Sequence, residues 1–309
     1  MKQTKFFILT AFIAVLFTAC KSEIEVTGVT LNEASASVAI KDTIELVATV
    51  LPKGAKGDVV WSSSNEAIAK VVDGKVIGIS LGKTNIKATV GTFSAVCEVT
   101  VTKEVVDFKS SLNGTEYFLI SMDGITAAKL GNKIKADFRP DELNNFLYIW
   151  DNTFTPGTTS GPNAFGEVEP WVSLRVGTNG WSGAGFNSKS PASLDKLIPI
   201  TTNTDKYFFH MAIRSKSTAT FVFALDGQSN VRFAVGPAAF NDNGTLIQPL
   251  ADFPRDGEWQ KIEIPMSTLK TNGLLYSTGA TERNVLWFLA GGVTGTELNI
   301  DGVFIYKKP

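Results

Sequence analysis

Histidine and cysteine are almost missing from this chain of 309 residues, which has one of the first and two of the second. With His210 as the sole imidazole, a His-rich metal centre is excluded, and a Ser-His-Asp relay would have to run through that one residue. No Gly-x-Ser-x-Gly elbow precedes a helical pattern. An excess of charge is missing as well: 29 Lys and Arg stand against 30 Asp and Glu, for a net charge of −1. Nucleic acid and anionic membrane surfaces require clustered Lys and Arg, so neither is an expected partner. Beyond the first residues no apolar run reaches the ~20 positions that a membrane-spanning helix needs. Helical periodicity is scarce, and only Ser193 to Leu197 and Ser267 to Lys270 read as single turns.

What is present begins with a three-part N-terminus. Lys2 and Lys5 are followed by an apolar run from Phe6 to Phe17, broken only by Thr10. Leu16-Phe17-Thr18-Ala19-Cys20 then ends on a small residue and a cysteine. Basic, apolar and small segments in that order form a secretory leader, and the apolar part is too short for a permanent span. Thr18-Ala19-Cys20 resembles the lipobox of bacterial lipoproteins in the loose form found in Bacteroidetes, with Phe17 in place of the usual Leu. The resemblance implies cleavage after Ala19, acylation of Cys20 and an outer-membrane anchor facing the cell exterior. Loss of Lys2 and Lys5 would leave a net charge of −3. Cys97 would then be unpaired, so no disulfide framework is expected, and its alternation with Val96 and Val99 reads as a small buried hydrophobe.

After a polar tether over residues 20–25, residues 26–104 are strand-rich. Ile44 to Val50 and Val96 to Val101 alternate and are β-branched, and Leu51-Pro52-Lys53-Gly54 and Asp73-Gly74 mark turns. Val29-Thr30-Leu31, Leu46 to Pro52, Val60-Trp61-Ser62-Ser63-Ser64-Asn65, Gly74-Lys75-Val76-Ile77-Gly78 and Gly82-Lys83-Thr84-Asn85-Ile86 together resemble the bacterial Ig-like group 2 domain. This implies a small β-sandwich that acts as a spacer or adhesion module and carries no catalytic residues. Trp61 reads as a core plug of the sandwich, with sugar stacking as the alternative.

Residues 105–309 hold five of the six tryptophans and all five tyrosines. Strands are expected at Phe146 to Trp150, Trp171 to Val176, Tyr207 to Arg214, Ala219 to Leu225, Val231 to Val235, Trp259 to Ile264, Val285 to Ala290 and Leu298 to Tyr306. That many strands with Gly/Asn/Thr/Pro-rich loops predict a jelly-roll sandwich, so the whole chain is expected to be all-β, an Ig-like sandwich followed by a larger one. The long connections 151–170 and 236–257 are candidate functional loops. Asp256-Gly257-Glu258-Trp259-Gln260-Lys261-Ile262-Glu263-Ile264-Pro265 and Leu298 to Tyr306 resemble the closing strands of carbohydrate-binding modules with a galactose-binding-like fold. That likeness implies glycan binding and places Asp301 where such sandwiches often hold a structural Ca²⁺, their one expected ion. Beside Gly302, Asp301 also reads as a β-turn or strand-end residue.

Sugars present apolar C–H faces that stack on flat rings, and hydroxyls that need a few fixed polar partners. Trp171 and Arg175 share one face of a strand, as do Tyr148 and Trp150. Trp181 sits in the glycine-rich stretch Gly180 to Gly185. With Trp287 and His210 these form the candidate glycan-binding set, each with core packing as the alternative. Hydrolysis needs two carboxylates ~5–9.5 Å apart, and no strand carries alternating acidic residues, so a non-catalytic binder is expected. The layout resembles surface glycan-binding proteins of Bacteroidetes polysaccharide-utilisation systems. That implies a polysaccharide ligand and components of an outer-membrane glycan transporter as partners. A protein-binding adhesin and a glycanase are the competing readings.

Overall fold

The structure, a computed structural model, describes residues 24–104, 106–141, 143–228 and 230–309. Cys20 and the expected leader lie outside the described residues. The chain divides into two compact units, one up to Val105 and one from Val106 to Pro309.

The first unit is a small sandwich. One sheet orders the strands Ser35–Ala39, Phe93–Thr102, Gly82–Val90 and Val60–Ser63, and the other orders Thr43–Glu45, Lys75–Gly78 and Ala69–Val72. Gly28–Leu31 pairs with Ala48–Leu51. Alternate residues meet in a core of Val38, Leu46, Val76, Ile86, Cys97 and Val99, with Trp61 packed against it. Burial raises the Cys97 thiol pKa, so the sulfur serves as a small apolar group. Gly74 has φ +83, and a Cβ there would come within 3.2 Å of the Trp61 ring, so glycine is needed for both backbone and space.

The second unit is a larger sandwich of two facing sheets. The seven-stranded sheet is organised by Glu297–Lys307, which pairs along one edge with Tyr207–Arg214. Along its other edge it pairs first with Val172–Val176 and then with Glu116–Ser121. The six-stranded sheet runs in the order Asn145–Ile149, Ala184–Ser188, Arg283–Leu289, Phe221–Asp226, Asn230–Val235 and Pro249–Ala251. Inward residues of both sheets, among them Phe186, Phe209, Ile213, Phe223, Phe233, Phe288, Ile300 and Ile305, form one continuous core.

Each sheet also carries apolar material on its outer face. On the seven-stranded sheet Phe108, Phe165, Tyr117, Phe304 and Tyr306 make a second layer, and His210 is enclosed in it. On the six-stranded sheet Val222 and Ala234 are covered by Ile247 and Phe240, which come from a short hairpin, Phe240–Asp242 with Thr245–Ile247. The expected long loop 236–257 therefore contains strands of its own. The glycine-rich stretch after Gly180 likewise runs into a strand, Ala184–Ser188.

Candidate functional site

The six-stranded sheet presents a row of register partners on its outer face: Tyr148, Gly185, Trp287, Ala224 and Arg232. Directly opposed residues share a face, so this row is a strip across the sheet. Two of its members are too small to fill it. A Cβ at Gly185 would lie 3.1 Å from the Cβ of Trp287, so glycine lets the indole settle across the neighbouring strand. The result is a floor made of one large ring with low ground on either side.

Walls rise from two loop systems. On one side Trp150 follows the strand Asn145–Ile149 in a short turn, and Asp151 and Asn152 have φ +48 and +53. The Trp150 amide donates to the Gly183 carbonyl at 3.0 Å, and the Gly183 amide donates to Thr153 Oγ1 at 3.0 Å. Gly183 is wedged between two rings: a Cβ there would collide with Trp150 and lie 3.0 Å from Trp181. Gly292 packs against the Gly180 carbonyl so closely that no side chain fits, and the Ser182 hydroxyl donates to Gly291 O at 2.6 Å. These ties hold Trp181 in place while 42% of it stays exposed. On the other side stands the hairpin. Its two-residue turn, Asn243-Gly244, has φ +51 and +91, as a tight hairpin turn requires. Positive-φ residues at both rims mark backbone whose conformation is imposed by its surroundings.

Between the walls lies a cleft of about 950 Å³ lined by Trp150, Trp181 and Trp287, by Phe240 and Leu289, and by Asn230, Asn241, Asn243 and Asn284. That is within the usual size of a small-molecule site. Trp150 and Trp287 stand edge to face, centroids 6.3 Å apart and planes at 71°. The Trp287 indole N–H points to Asn230 Oδ1 at 3.4 Å. Asn241 Oδ1 accepts from the Gly244 amide at 2.8 Å, which fixes that side chain through its own turn. Asp242 is the one carboxylate among the described lining residues, and it is ion-paired with Arg232. Three flat rings and four amides, with the charge cancelled, form a surface for a ligand with apolar faces and hydroxyl edges.

The structure thus brings together Trp150, Trp181 and Trp287 from the sequence-predicted set. Tyr148, half exposed, continues the same face two strands away from Trp287. The remaining candidates lie elsewhere. Arg175 is on the seven-stranded sheet, exposed and 3.6 Å from Glu297. Trp171 is a correction. It is 8% exposed, donates from Nε1 to Asn299 Oδ1 at 3.1 Å, and packs edge to face on Trp259 at 5.5 Å, with Arg214 over both rings. Its face of the strand is filled by these partners, so it packs in the protein instead of joining the candidate glycan-binding rings. His210 is a second correction: it is wholly buried, stacked on Phe304 at 4.4 Å, and its Nδ1 donates to Gly302 O at 2.7 Å. The second apolar layer on that sheet removes it from any ligand, and burial lowers its pKa to about 4.

Asp301 is buried, with Oδ2 accepting from the Ala164 amide at 3.2 Å. Desolvation is the main cause that raises its pKa to about 6. Calcium requires six to eight oxygen ligands. The carboxylate near Asp301 is Asp123, itself engaged by Thr126 N at 2.7 Å and Asn163 Nδ2 at 3.0 Å. Among the described residues no group of three or more His, Cys, Asp and Glu is placed to hold a metal ion. The described carboxylates around Asp301 therefore do not supply such a ligand set. Asn230, Asn241, Asn243, Asn284 and Phe240 were not among the sequence candidates. For the hairpin residues the length of the 236–257 connection was the available signal. For Asn230 and Asn284 there was none.

No curated protein matches the chain. Among solved structures, a family 30 carbohydrate-binding module is 16% identical, with 52% of this chain and 87% of that one covered at a TM-score of 0.32. Domains 5–6 of the S-layer protein SbsC are 11% identical, with 89% and 96% covered at a TM-score of 0.25. Overlaps at these scores do not establish a shared architecture for the whole chain. The N-terminal unit is identified more firmly: residues 25–101 match the family "Bacterial Ig-like domain (group 2)", and this all-β chain carries a domain of that family.

Proposed function

We propose that this protein is a non-catalytic carbohydrate-binding protein whose ligand lies in the cleft on the outer face of the six-stranded sheet. The observation that carries this reading is the convergence of Trp150, Trp181 and Trp287 with four asparagines in one cleft, whose floor is the sheet and whose walls are braced loops. Stacking on the rings would supply affinity, and the amides would fix orientation. A binder is favoured over a hydrolase because Asp242 is the one carboxylate among the described lining residues and is neutralised by Arg232, whereas glycoside hydrolysis uses a pair of carboxylates. The proposal extends to the cell: acylated Cys20 anchors the chain to the outer membrane, and the Ig-like unit serves as a spacer. The sandwich captures polysaccharide for a glycan-utilisation system whose transporter components are its partners.

Affinity electrophoresis of the full chain against plant, algal and microbial polysaccharides tests the binding reading. Retardation by at least one glycan, lost in Trp181→Ala, is the expected result. The absence of retardation across the panel, or reducing-sugar release from it, would reject the reading. Metabolic labelling with palmitate tests the anchor, which requires incorporation in the parent and none in Cys20→Ala.

A further inference from the structure

We infer that the cleft selects an uncharged polysaccharide whose chain turns from one sugar to the next, and not a flat ribbon or a polyanion. This inference rests on the proposed glycan-binding role and goes further by naming the class of glycan.

The charge of the cleft favours a neutral ligand. Asp242 meets Arg232 within the protein, and its Oδ1 also accepts from Asn243 Nδ2 at 3.3 Å. The other polar side chains that line the cleft, apart from Ser182, are primary amides, each able to donate and accept. Hydroxyl groups also donate and accept, so amides match them. A uronate or sulfate would need a cation, and binding one would leave Asp242 facing an added negative charge. A guanidinium committed to that carboxylate offers little to a second anion.

The orientation of the rings favours a chain that turns. Trp150 and Trp287 both line the cleft, and their planes are 71° apart. Successive residues of an extended β-1,4 chain present parallel faces, so such a ribbon lies flat on one of these indoles and meets the other at its edge. A chain with a helical twist, such as an α-1,4- or β-1,3-glucan, rotates its rings along its length and can address both planes within the span of the cleft. Both rings are held firmly. Gly183 packs against Trp150, and Gly185 seats Trp287, so their angle is set by backbone that leaves no room for a side chain.

The test is titration of the full chain by affinity electrophoresis and calorimetry. The probes are amylose, a soluble β-1,3-glucan, cellohexaose with hydroxyethylcellulose, and polygalacturonate. The expected result is binding to at least one wound neutral glucan, at least about tenfold tighter than to the β-1,4 ribbon or the polyuronate. That binding should be unchanged between about 50 mM and about 500 mM NaCl. It should also be lost in both Trp287→Ala and Trp150→Ala. Tighter binding of the ribbon, or tighter, salt-sensitive binding of polygalacturonate, with the same dependence on Trp181, would overturn the inference and leave the glycan-binding reading standing. Failure of every probe, and of the wider glycan panel, would reject both.

Discussion

At the scale of the residue, the same side-chain type has opposite roles in this protein, and neighbours decide which. Trp181 and Trp171 are both strand-flanking tryptophans, yet one is 42% exposed on a glycine-braced loop and the other is 8% exposed beneath Arg214. Trp181→Ala should therefore weaken glycan binding at least about tenfold while shifting the melting temperature by no more than about 2 °C. Trp171→Ala should do the reverse, costing ~3 kcal/mol or more in denaturant unfolding with affinity retained in the folded fraction. Two buried titrating groups make a second prediction. Asp301 is raised to about 6, so between about pH 6 and pH 4 the folded state keeps a proton that the unfolded chain has released. Acidification through that window stabilises the fold through Asp301. His210 is lowered to about 4, so from about pH 6.5 down to 4 the unfolded imidazole takes up a proton that the folded one refuses. That contribution destabilises on acidification and largely offsets the first. Asp301→Asn preserves an acceptor for the Ala164 amide and removes the buried charge. Its stability at pH 7.5 should exceed the parent's by up to about 3 kcal/mol, and the advantage should vanish as pH falls to about 4. Urea melts at several pH values measure this, and an Asn variant no more stable than the parent at pH 7.5 would reject a destabilising buried charge at Asp301.

At the scale of the element, the hairpin Phe240–Asp242 with Thr245–Ile247 completes the site. It caps Val222 and Ala234, which would otherwise be apolar surface on the sheet, and it supplies Phe240, Asn241 and Asn243 to the cleft. Its turn depends on Gly244 at φ +91, where a β-branched side chain is strained. Gly244→Val should cost roughly 1–3 kcal/mol in the hairpin, speed amide exchange over residues 240–247 and weaken glycan binding. The strands of the six-stranded sheet should keep their protection. The sequence pattern could show that 236–257 was too long for a simple connection. It could not show the pairing of Asn241 with Leu246, because three-residue strands carry too little alternation to be read. The strand Glu116–Ser121 was missed for a different reason. It is buried on both faces, between the core and the layer around Phe108, so its sequence EYFLIS has no polar alternation.

At the scale of the whole molecule, each unit has its own core: Trp61, Ile86 and Val99 in one, and the phenylalanine-rich interior in the other. Residues 106–309 alone should therefore unfold cooperatively and bind glycan with the affinity of the full chain, as measured by calorimetry side by side. A loss of affinity in the fragment would place part of the site in the Ig-like unit. The sequence by itself determined the all-β class, the Ig-like domain, eight strands of the second unit and the concentration of aromatic rings after residue 105. These follow from local regularities: period-two alternation, β-branched runs and turn residues at fixed offsets. The strand period places His210 and Trp171 on the face opposite core residues such as Phe209, Ile213, Leu174 and Val176. Only the tertiary structure decided that this face is covered by Phe108, Phe165, Trp259 and Arg214, while the outer face of the other sheet is left partly bare. It alone gathered Trp150, Trp181 and Trp287 with Asn230 and Asn284, positions up to 137 residues apart, into one cleft. The physical reason is that strand period fixes which side chains point the same way, whereas exposure depends on what distant segment packs over them, and no local pattern encodes that.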